Sequence, residues 1–359
     1  MSDRPHMHGA LLAGLLLAWL ALGWLGASTP RQALASYLMA WIALVGLPLG
    51  SLAWLMIHAL TGGAWGDALR EEWIDAARLL PCAMALSLPL LLGAPWLFPW
   101  VQPTNDAAWP VFYLNLPLFY VRCALCFACW FALACGVLRR LARSSQPWPG
   151  YAAAGLILML LSVSVWAVDW IMSRVEGWHS TALGLTLFAA QLLSSLSFAL
   201  WLRLRRGGFH MPRVQQDVAN LLLVAVLGWS YLAFMDYLTA WISDLPADTV
   251  WYLPRLRTHW QWLGGLLLVL QTALPIALLL LRAVKRHAPA LRGLAGLLLI
   301  MQVCYAAWLI LPDARPSGAM LAWTDPLAWL CVLGTACCVA ALRRSIGDRT
   351  SSEWQGAGP

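Results

Sequence analysis

Arg122, Asp169 and Asp236 lie inside long apolar runs of this chain, and His179 and His259 stand at the edges of two others. A charged side chain within a bilayer costs on the order of 2.5–3.5 kcal/mol on insertion scales, so it usually faces protein or a wet cavity and often has a task. Carboxyl and imidazole groups exchange protons, and a guanidinium orients polar ligands. The densest polar stretch is VDWIMSRVEGWHST, Val168 to Thr181. There an acid beside Trp170 is followed by Arg174, Glu176, Trp178, His179, Ser180 and Thr181. Helical spacing puts Asn115, Cys126 and Cys129 on the face of Arg122, and Ser162, Trp166 and Ser173 on the face of Asp169. Taken singly, each residue suits a bland role: a buried ion pair between Arg122 and an acid, and histidines that wet a membrane boundary. Five such groups at one depth point to a polar pocket.

Depth depends on the elements that carry these residues. The chain has 359 residues, 61% of them hydrophobic and 11% charged. A soluble domain is nearer half apolar and a quarter charged. Apolar runs of about 20 residues, each long enough to cross a bilayer, recur along the whole length. The expectation is an all-α polytopic membrane protein forming a single integral membrane domain. Ten spans are read at roughly 9–27, 35–58, 80–100, 110–138, 152–173, 180–202, 217–242, 259–281, 292–312 and 323–342. The first run is expected to be an uncleaved signal anchor, because Gly26-Ala27-Ser28 is a weak processing site.

Arginine and lysine set the orientation. With both termini on one side, that side holds 17 of the 23 Lys and Arg. The opposite loops hold five, Arg31, Arg174, Arg255, Arg257 and Arg315, and Arg122 lies within a span. Positive-inside bias then predicts cytoplasmic termini and puts Arg122, Asp169, Asp236, His179 and His259 in the outer half. The net charge of +7 follows from this asymmetry and gives no basic face for nucleic acid. Many of the 24 tryptophans, Trp96, Trp100, Trp178, Trp251 and Trp260 among them, fall near span ends, where amphipathic rings prefer the interface.

Several chemistries find no support. Cys123, Cys126 and Cys129 have an iron–sulfur spacing, but they lie on one continuous apolar helix and cannot converge on a cluster. The histidines give no pair at matching depth within the membrane, so neither an intrinsic haem nor a metal site is expected. No phosphate loop, dinucleotide fingerprint, zinc-protease helix or nucleophile elbow is present in credible context.

The polar stretch also carries a resemblance. Asp169-Trp170-x-Met172-Ser173, then Trp178-x-Ser180-Thr181, is similar to a signature of the NrfD-like membrane subunits of alternative complex III, a quinol:cytochrome c oxidoreductase. The closest likeness is to its F subunit, quinone-binding subunit 2. Further pieces agree in order: Leu60-Thr61-Gly62-Gly63-x-Trp65, Tyr113-Leu114-Asn115 before Arg122, Trp229-x-Tyr231-x-x-Phe234, Asp248-Thr249-x-Trp251-Tyr252, and Trp308-Leu309-Ile310-Leu311-Pro312. They cover about residues 60–312. The chain departs from the family where Ser173-Arg174-Val175-Glu176-Gly177-Trp178 replaces Ser-Leu-Asp-Pro-His-Trp, and where Asp236 takes the place of a glutamine.

The resemblance implies two four-helix bundles, spans 2–5 and 6–9, flanked by spans 1 and 10. It implies residence in a bacterial inner membrane, no metal or haem held by this chain, and quinol or quinone as substrate. It implies as partners haem- and iron–sulfur-containing subunits, a homologous NrfD-like subunit and a terminal oxidase. On this reading Asp169, Asp236, His259 and His179 are the proton-transfer candidates. Arg122, Asn115 and Trp170 are the quinone-pocket candidates. Two rivals stand beside it: a secondary transporter with five plus five spans, and a purely structural membrane anchor.

Overall fold

A computed structural model describes residues 4–102, 110, 112–143, 147–243, 245–315 and 318–356. Most of the described residues are helical, and none of them lies in a strand. Helix α1 is Arg4–Ser28, α2 Pro30–Thr61, α3 Ala64–Ala77, α4 Leu116–Arg143 and α5 Pro149–Trp170. They are followed by α6 Leu183–Arg205, α7 Pro212–Ser243, α8 Trp260–Leu280, α9 Ala288–Ala314 and α10 Thr324–Gly356. Proline occupies the first turn of α2 and α5, where its missing N–H has no partner to lose. Nine helical stretches among the described residues are long and apolar enough to cross a membrane. Helix α1 carries a further apolar run at Ala13–Ser28.

Most spans lie within a few residues of the expected bounds. The third differs most: it was expected over 80–100, and the apolar helical stretch runs Ala64–Leu92. Its first half, α3, is amphipathic and carries Asp67, Arg70, Glu71, Glu72 and Asp75, which hide it from a hydropathy reading. Its second half is broken into short turns through Val101 by Pro81, Pro89, Pro95 and Pro99. Backbone carbonyls freed in an apolar setting need other donors. Pro95 has no N–H for the Leu91 carbonyl, and the Tyr120 hydroxyl donates to it at 3.1 Å. The Tyr37 hydroxyl serves Leu86 at 2.9 Å, and the Trp41 indole serves Ala83 at 2.7 Å.

The core is a seam. Within the most apolar window of α2, 83% of residues are buried, and in α6 72%, against 28–33% in α4, α5, α7 and α8. Helix α2 packs on α3, α5 and the broken run, forming the first bundle with α4. Helix α6 packs on α7 and α9, and α8 closes the second bundle. The bundles meet where α2 lies against α6 and α9. Helices α1 and α10 pack on each other and on α2. In α8 the π-helical turn Leu267–Ala273 comes just before Pro275, which cannot donate to Gln271.

Candidate functional site

The polar stretch Val168–Thr181 straps the two bundles together at one end. Asp169, at the end of α5, accepts the Arg122 Nε hydrogen at 2.8 and 3.1 Å. The Ser173 hydroxyl donates to the Asp169 carbonyl at 2.7 Å and accepts from the Trp100 indole at 3.1 Å. Arg174, 4% exposed, crosses to the second bundle and donates to the Ile310 carbonyl at 3.0 Å. Gly177, at φ 74°, turns the chain. Trp178 then stacks on Trp251, with centroids 4.7 Å apart and planes 11° from parallel. Finally Ser180 donates to Asp236 on α7 at 2.6 Å and accepts the Leu183 N–H at the start of α6.

The ion pair is a first-bundle feature. Asp169 is 1% exposed, and the Arg122 guanidinium also donates to the Tyr113 carbonyl at 2.9 Å and lies 3.9 Å from the centre of the Tyr113 ring. Arg122 Nη2 is buried without an acceptor. Burial, and then the Asp169 charge, push the Tyr113 phenol up to about 12. Beneath the pair is an aromatic floor: Trp170 packs against Trp41 at 4.7 Å and Phe119 at 5.4 Å. Asn115 accepts the Leu118 N–H at 3.0 Å, the geometry of a helix cap on α4.

Asp236 belongs to the other bundle and has a different chemistry. Besides Ser180 it accepts the Tyr252 hydroxyl at 2.8 Å. No ion pair reaches it among the described residues. Burial and the facing carboxylate hold the Tyr252 phenol well above its usual range, so that it remains a donor even in alkali. One carboxylate is therefore tied to a fixed charge, and the other is held by neutral hydroxyls. The single pocket expected from the sequence resolves into two clusters joined by the strap, with no hydrogen bond between Asp169 and Asp236. His179 is exposed and bonds the nearby Gly177 carbonyl at 3.0 Å. His259 is exposed at the entrance to α8.

Further polar groups escaped the sequence reading. Arg255 is 0% exposed and reaches Asp313 through two bonds of 2.9 and 3.1 Å. It also donates to the carbonyls of Trp308, Trp251 and Leu309, and its guanidinium lies 3.6 Å from the Trp251 ring. The Trp308 carbonyl needs this donor because Pro312 supplies no N–H four residues on. Burial pushes the Arg255 guanidinium down from its ordinary value, and Asp313 opposes the shift. Arg315 grips Asp325 with both terminal nitrogens and donates to Ser36 at 3.1 Å, tying α2 to the start of α10. Asp313 and Asp325, acids at the ends of their apolar runs, were the available signal, since the arginines in those loops required partners.

At the opposite end Glu72 of α3 is fully buried. Arg206 and Arg203 stand 3.5 and 4.0 Å from one of its oxygens, and neither oxygen accepts a hydrogen bond. Among the described residues no group of three or more His, Cys, Asp or Glu gathers as metal ligands would. No family model and no curated protein matches this chain.

Proposed function

We propose that this chain is an integral membrane subunit of a quinol-oxidising complex of the alternative complex III type, handling protons near the outer side and anchoring redox subunits. The observation that carries this reading is Asp236, a carboxylate in a spanning helix held by two hydroxyls and no cation. Quinol oxidation releases protons, and a carboxyl without a paired cation is a chemical group that can accept them. Asp169 suits this less well, because protonating it would strand Arg122 beside a neutral acid. It positions the strap, with Arg122, Asn115 and Trp170 around it. The motif resemblance over residues 60–312 supplies the substrate class and the partners, which are haem- and iron–sulfur-containing subunits, a homologous membrane subunit and a terminal oxidase.

Affinity purification of the chain from its native membrane tests the reading. Haem absorbance and quinol-dependent reduction of an electron acceptor should copurify with it. A chain that emerges without redox partners and catalyses substrate uptake in vesicles is a transporter instead. A chain that copurifies with active partners whose turnover ignores Asp236 is an anchor only.

A further inference from the structure

The seam between the bundles holds a small polar site near the middle of the membrane. Gly46 on α2, Gln191 and Ser194 on α6, and Gln302 and Tyr305 on α9 line a cavity of about 20 Å³. Gln191 is 3% exposed, and neither atom of its carboxamide has a hydrogen-bond partner in the protein. Gln302 is 7% exposed, and its amide nitrogen likewise lacks a partner. Buried polar atoms are nearly always bonded to protein or to ordered water. A cavity holds a water when it offers about 10–15 Å³ of such space and two to four polar partners. This cavity meets both conditions, and the two glutamines supply donors and an acceptor.

The surrounding packing fixes the site. A Cβ on Gly50 would fall 2.1 Å from the Gln191 carbonyl oxygen, so glycine there lets α2 lie directly on α6. One turn beyond Gln191, the hydroxyls of Ser51 and Ser195 meet at 2.7 Å across the same seam. Helices α2 and α6 are thus held in direct contact, and the polar character of this face continues past the cavity.

We infer that this cavity binds one water molecule, which accepts from the Gln302 amide, hydrogen-bonds the Gln191 carboxamide and joins the two bundles at mid-membrane. The inference does not depend on the quinol reading. It is tested by electron cryo-microscopy of the purified protein in nanodiscs, at a resolution that shows ordered water. Density within hydrogen-bond distance of both glutamines is the expected result. A cavity without density, or a direct bond between the two carboxamides, overturns it. A feature that disappears when sodium and potassium salts are replaced by choline chloride is a cation, and also overturns it. Thermal unfolding gives a second reading. Gln191→Leu and Gln302→Leu should each lower the melting temperature by a few degrees, and the double variant should fall by less than the two shifts together, because both residues share one water. Additive shifts overturn the shared site.

Discussion

Ser180 and Asp236, 56 residues apart, are joined by a hydrogen bond of 2.6 Å that carries the end of the strap into the second bundle. Eleven residues earlier the same strap is fixed to the first bundle by Asp169 and Arg122 at 2.8 Å. The strap therefore starts at a buried ion pair and ends at a carboxylate with no counter-ion among the described residues. The two ends should respond differently to mutation.

Arg122→Met keeps much of the side-chain volume and strands Asp169. Removing one partner of a buried pair costs on the order of 3–5 kcal/mol. The melting temperature of the detergent-purified protein should drop clearly. Asp169→Leu on top of Arg122→Met should restore part of the loss, since the stranded charge is gone. An unchanged melting profile for Arg122→Met would show that its charge does not depend on Asp169.

Arg255→Lys retains the charge but not the planar fork. A lysine has three donors on one nitrogen and cannot serve the two Asp313 oxygens and three carbonyls at once. Each buried acceptor left bare costs about 1–3 kcal/mol. The variant should lose stability by at least one such step, measured by thermal unfolding. Wild-type stability would mean that water or another side chain can replace the guanidinium.

Tyr113 gives an alkaline signature. Its phenol is raised to about 12 in the folded chain, against an ordinary value of about 10. Below pH 10 both states hold the proton and its contribution is fully present. Between about pH 10 and 12 the unfolded chain releases the proton first, so stability falls as pH rises. Tyr113→Phe keeps the ring over Arg122 and removes the proton. Its melting temperature should decline less steeply over that window, and parallel profiles for the two proteins would refute the assignment.

The charge asymmetry predicts that the arginine-poor end, which carries the strap, faces outward. A reporter fused after Arg344 should be active when its activity requires the cytoplasm. Three of the five arginines counted at the strap end, Arg174, Arg255 and Arg315, are buried, and each donates to a carboxylate or a carbonyl there. Activity of a periplasm-dependent reporter at that position would reverse the orientation.

Hydropathy alone revealed the helical class and most of the spans, because apolar runs of bilayer length have few other solutions. The gathering of Arg122, Asp169, Asp236, His179 and His259 at one end was legible too, from helix parity. Pairing was not. Arg122 meets an acid 47 residues away and Arg255 one 58 residues away, and no local pattern links such positions. The division of Asp169 and Asp236 between bundles was hidden for the same reason. Glu72 was missed because the charges of α3 resemble a loop until their apolar face is docked on α2 and α6. Gln191 and Gln302 look like ordinary polar residues in apolar runs, and only their shared cavity sets them apart.

Proton handling by Asp236 is open to one direct test. Asp236→Asn preserves size and leaves a carbonyl acceptor for one of the two hydroxyls, with its NH2 turned to the oxygen of the other, but it cannot exchange protons as a carboxyl does. The direct measurement is quinol:acceptor turnover per assembled complex from pH 6 to 9, for the wild type and for this variant. Intact assembly with slowed turnover and an altered pH profile is the expected result. Wild-type turnover and an unchanged profile in Asp236→Asn would contradict it.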